Sequence, residues 1–141
     1  MSRVTKLKRT RLGLAGCLCL VMAACGSAER QPKKLLVGWE PVISFQGHGD
    51  SQSEAFNIES TQWRIRWETK NEETPGAGRF KLTAHSSVSG RPIAQAVDFK
   101  GVGKNVSVIS EDPRFYFLVI ESSGVDWSIS AEQRFEGERR D

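Results

Sequence analysis

Trp63-Arg64-Ile65-Arg66-Trp67 constrains the fold more than any other stretch of this chain. Successive side chains on a strand point to opposite faces, so an extended backbone here puts Trp, Ile and Trp on one side and both arginines on the other. On a helix the same five residues would scatter their apolar groups around the axis. The stretch predicts a strand buried on one face and solvated on the other, as in an antiparallel sheet.

Much of the chain beyond Leu35 follows the same period. Leu35-Leu36-Val37-Gly38-Trp39 and Val42-Ile43-Ser44-Phe45 read as short strands interrupted by Pro41, followed by a polar loop at residues 47–53 and a short strand at Ala55-Phe56-Asn57-Ile58. Phe80-Lys81-Leu82-Thr83-Ala84-His85 alternates strictly, Ile93 to Phe99 less so, and Val106-Ser107-Val108 once more. Phe115-Tyr116-Phe117-Leu118-Val119-Ile120 is apolar on both faces and is expected to be a central, doubly covered strand. Val125, Trp127, Ile129 and Ala131 share one face of the last strand, and the charged tail at 136–141 is expected to fray. Turn signals such as Thr74-Pro75-Gly76 and Asp112-Pro113 separate the segments. The fold class read from this pattern is all-β: a single antiparallel β-sandwich of roughly eight strands over residues 35–135. Trp63, Trp67, Phe80, Leu82, Phe117 and Trp127 are the expected core. The order of strands resembles small β-sandwich domains of exported bacterial proteins, a likeness carried by alternation alone.

The N-terminus is of another kind. Arg3, Lys6, Lys8, Arg9 and Arg11 form a basic head without acidic residues, and Leu12 to Ala24 is uncharged and mostly apolar. That length lies within the ~7–15 residues of a signal-peptide core and short of the ~20 that span a bilayer. The segment ends Met22-Ala23-Ala24-Cys25, which resembles the lipobox of bacterial lipoproteins, although the family prefers Leu where Met22 stands. The resemblance implies a cleaved signal at 1–24, Cys25 as the lipidated N-terminus, and a partner in the membrane itself through the covalent lipid. Leu14-Ala15-Gly16-Cys17 matches the motif letters more closely. Cleavage there would leave an apolar core shorter than ~7 residues, so Cys25 is the expected site and Cys17 the alternative. Gly26 follows Cys25, and in that family a residue other than Asp at this position favours the outer membrane where the source has one. Residues 25–34, polar and containing Pro32, read as a flexible tether.

The net charge of +3 belongs largely to the removable segment. Five of the 20 Lys and Arg precede Cys25 and all 17 Asp and Glu follow it, so the chain from Cys25 onward has 15 basic and 17 acidic residues, a net charge of −2. Nucleic-acid binding needs a dense basic patch, and no nucleic acid is expected as a partner. All three cysteines, Cys17, Cys19 and Cys25, lie in or at the end of the signal. The domain therefore has no thiol for a disulfide or a thiolate metal site, and neither metal nor other cofactor is expected.

Candidate chemistry is sparse. His48, Asp50 and Glu54 lack the spacing of a zinc or calcium site and read as a polar surface loop. His85 and Ser86 are adjacent on a strand and so face opposite ways; Glu72 and Glu73 sit in a turn. With no nucleophile elbow and no paired acids about a cleft, the chain is read as a non-catalytic interaction or structural module of the cell envelope, bound to an unknown envelope protein or glycan. The alternative is a glycan or small-ligand module whose exposed aromatics, Trp39, Trp63, Trp67 and Tyr116, stack on sugar rings. That alternative requires Trp63 and Trp67 to face water instead of Arg64 and Arg66.

Overall fold

The period-two pattern resolves into nine strands in the computed structural model, which describes Gly26 and residues 35–138. The segment expected to be a signal, with Cys17 and Cys25, lies outside the described residues. The strands are β1 (Leu35–His48), β2 (Ser51–Gln52), β3 (Phe56–Ile58), β4 (Gln62–Lys70), β5 (Arg79–Ser86), β6 (Pro92–Lys100), β7 (Gly103–Ser110), β8 (Arg114–Ser123) and β9 (Asp126–Glu138). They form two antiparallel sheets: sheet A in the order β1-β9-β4-β7, and sheet B in the order β2-β8-β5-β6 with β3 also pairing β8. The fold is a β-sandwich.

Alternation decides which side chains enter the space between the sheets. From sheet A come Trp63, Ile65 and Trp67 of β4 and Trp127, Ile129 and Ala131 of β9; from sheet B come Phe80, Leu82 and Ala84 of β5 and Tyr116, Leu118 and Ile120 of β8. Phe56 and Ile58 close one end. Aromatic rings span the gap, with centroids 4.9 Å apart for Trp63–Tyr116 and 6.4 Å for Phe80–Trp127. These separations suit favourable ring–ring packing. Where the chain crosses between sheets the turns are tied by specific bonds. The Glu72 carboxylate accepts from the Gly78 amide at 2.9 Å, and the buried Thr69 hydroxyl donates to the Gly101 carbonyl at 2.8 Å and accepts from the Gly103 amide at 3.0 Å.

Several expectations need correction. Phe115–Ile120 is not covered on both faces: Tyr116, Leu118 and Ile120 point inward, so the period of two sends Phe115, Phe117 and Val119 outward. Phe117 therefore leaves the expected core and stacks on His85 of β5, 5.1 Å between centroids. The two short strands around Pro41 are one long strand, because β1 is an edge strand and a register shift at Pro41/Ile43 accommodates the proline. Its extension to His48, with β2, takes up part of the expected loop. The tail expected to fray from residue 136 instead continues β9 to Glu138, paired with the start of β1. On β7 it is Ile109 that is buried, while Val106 and Val108 face outward.

Candidate functional site

The outward positions of sheet A build a broad depression. Along β9 these positions are Asp126, Ser128, Ser130 and Glu132, and the two serines in the middle are too short to fill the surface. Ser44 and Gln46 of β1 lie opposite Ser130 and Ser128, while Arg66 and Glu68 of β4 flank them on the other side. Lys104 and Val106 of β7 continue the wall. The result is an open trough of about 710 Å³ running across all four strands. Ser44 Oγ donates to Ser130 Oγ at 2.9 Å, so two of the floor hydroxyls are already bonded to each other.

Both ends of the trough are ordered by charge. At one end a second recess of about 450 Å³ is lined by Gln46, His48, Glu68, Lys70, Asn71 and Asp126. Asn71, held at φ 51°, donates from Nδ2 to Asp126 Oδ2 at 2.7 Å. His48 Nδ1 lies 2.9 Å from Asp126 Oδ1, and His48 Nε2 lies 3.3 Å from Glu73 Oε1. An imidazole protonated on both nitrogens can donate to both carboxylates. The Asn71 hydrogen bond first, and His48 after it, hold the Asp126 carboxyl below its ordinary value. Towards the opposite end, Glu132 pairs with Arg64 and lies 3.6 Å from Arg66. The Arg64 guanidinium covers the Trp39 ring at 4.3 Å, a cation–π contact.

The aromatic residues named as possible ligand contacts do not form an exposed platform. Trp63 and Tyr116 are fully buried and Trp67 nearly so, because Arg64 and Arg66 are the outward residues of β4. The Tyr116 hydroxyl donates to the Asp112 carbonyl at 2.7 Å, and Trp67 Nε1 donates to Ser107 Oγ at 3.3 Å. Burial pushes the Tyr116 phenol up. Trp39 alone of the four reaches the outer surface of sheet A, half-buried beneath Arg64.

The polar candidates separate as well. Asp50 accepts from the Ser122 amide at 2.9 Å and so anchors a turn, while His48 belongs to the Asp126 recess. Among the described residues, no three His, Cys, Asp or Glu side chains are placed to hold a metal ion. His85 faces out and Ser86 in. The sequence reading missed the trough itself. Its one legible signal was the pair of outward serines in Trp127-Ser128-Ile129-Ser130-Ala131, whose neighbours across the sheet only the strand order supplies. No family model, curated protein or solved structure matches the chain.

Proposed function

We propose that this chain is a lipid-anchored cell-envelope protein, held through Cys25, that acts as a non-catalytic interaction module with the sheet A trough as its working face. The trough carries the reading. It is open, lined by apolar as well as hydroxyl and charged groups, and spread over four strands, a shape suited to an extended ligand or a protein surface, and its charged ends can set orientation. Two measurements test the proposal. Intact mass of the membrane-extracted protein should give a chain starting at Cys25 with added acyl mass; a start at Cys17, or no acyl mass, defeats the anchor assignment. Partners retained from envelope extract should be lost when Ser130→Trp fills the trough and kept when Thr83→Trp alters the outer face of sheet B. Equal retention by both variants defeats the trough.

A glycan remains the second reading, resting now on hydroxyls instead of aromatics. Ser44, Ser128, Ser130 and Gln46 offer hydrogen bonds suited to sugar hydroxyls, and Arg66 and Lys104, which share the lining with Glu68, are the cations a sugar carboxylate would meet. Calorimetric titration with a uronic-acid oligosaccharide and its neutral counterpart decides. Heat from the acidic chain that Arg66→Gln and Lys104→Gln abolish supports this reading, and heat from neither sugar retires it.

A further inference from the structure

β1 and β9 outrun the rest of sheet A. β4 accompanies β9 only as far as Gln133, so the pairs Trp39↔Arg134, Gly38↔Phe135, Val37↔Glu136, Leu36↔Gly137 and Leu35↔Glu138 make a two-stranded ribbon without a third neighbour among the described residues. Such a ribbon is marginal by itself in water. Yet it carries four of the nine large apolar side chains exposed among the described residues: Leu35 at 56%, Leu36 at 41%, Val37 at 52% and Phe135 at 42%. Leu36 and Phe135 belong to one face and Leu35 and Val37 to the other. A strand apolar on both faces is ordinarily covered on both, and the described residues cover this one on neither. Gly38 permits the arrangement: a Cβ there would lie 2.6 Å from the Phe135 ring, which therefore occupies the surface above the glycine.

We infer that this ribbon is a membrane-contact element that seats its apolar tip in the headgroup region of the bilayer. The inference rests on the lipid anchor at Cys25. Only Gly26 to Lys34 separate that cysteine from Leu35, and nine residues reach at most ~30 Å when fully extended. The ribbon is thus the part of the sandwich that chain length ties nearest to the lipid. The residues in and beside it are mixed in charge, with Lys33, Lys34, Arg134, Arg139 and Arg140 against Glu40, Glu136, Glu138 and Asp141, so the apolar side chains and not a headgroup charge drive the contact.

The chain from Gly26 to Asp141, which lacks Cys25, isolates the ribbon from the anchor. Among the described residues the buried apolar side chains all lie between Phe56 and Ala131, so it retains that core. Sedimentation with phosphatidylcholine vesicles should show binding that L36E/F135E reduces at least tenfold and L36S/F135S reduces severalfold, both variants keeping the wild-type thermal midpoint. Equal partitioning of wild type and variants overturns the inference, as does a dimer in light scattering that F135E dissociates while vesicle binding is unchanged. The anchor is judged separately by mass. An unacylated Cys25 with ribbon-dependent partitioning removes the anchor and leaves the ribbon; an acylated Cys25 with ribbon-independent partitioning does the reverse.

Discussion

At Thr69, hydrogen bonding and packing can be separated by two substitutions. Its hydroxyl serves the Gly101 carbonyl and the Gly103 amide from inside the sandwich. Thr69→Val keeps the volume and leaves those groups without that partner, which costs ~1–3 kcal/mol. Thr69→Ser keeps the hydroxyl and loses one methyl, ~1 kcal/mol. Urea midpoints measure both, and a larger loss for Ser than for Val would place the cost in packing instead. Asp126 gives a pH dependence of known sign. Its folded carboxyl is held below the ordinary 3.8 by Asn71 and then His48. The stability it contributes is therefore complete above the unfolded value and is lost as pH falls through the lowered folded one. Asn71→Ala should shrink the drop in thermal midpoint between neutral pH and pH ~2. An unchanged drop would remove Asn71 as the principal cause.

Among the elements, β4 and β5 were legible because polar and apolar residues alternate from Trp63 to Trp67 and from Phe80 to His85, which names the inward face outright. β8 was not. An apolar residue at every position leaves the period intact but hides its phase, and the phase is decided by neighbours: Tyr116 finds the Asp112 carbonyl on the inner side, and Phe117 finds the His85 ring on the outer. Leu118→Ala should consequently cost ~2–5 kcal/mol. Phe117→Ala, although it removes a larger side chain, should cost clearly less, as judged by denaturant midpoints of the two variants. The reverse ranking would contradict the assigned phase. β1 was divided at Pro41 because a proline lacks the N–H that an inner strand requires. Its place at the sheet edge, invisible in the sequence, removes that requirement.

For the whole molecule, one apolar cluster joins both sheets, with no second core among the described residues. Unfolding should accordingly be one cooperative transition. Tryptophan fluorescence, which reports mainly on the buried Trp63, Trp67 and Trp127, and far-ultraviolet circular dichroism should give coincident urea curves. Separated curves would mean that sheets A and B unfold independently. The same topology places the trough on one outer face of the sandwich and the apolar ribbon at one end of sheet A, two surfaces that different variants can silence separately.

The sequence by itself determined that residues 35–135 are all-β and which side chains of β4, β5 and β9 are buried, because a period of two ties each residue to a face before any partner is known. It likewise determined that the basic excess lies outside the domain. Only the tertiary structure decided the rest: the trough, the Asp126 recess and the exposed ribbon. Each joins residues from strands far apart in the chain, His48 to Asp126 and Leu36 to Phe135 among them. The order of strands in a sheet is set by the packing of whole faces against each other, which no single stretch of sequence records.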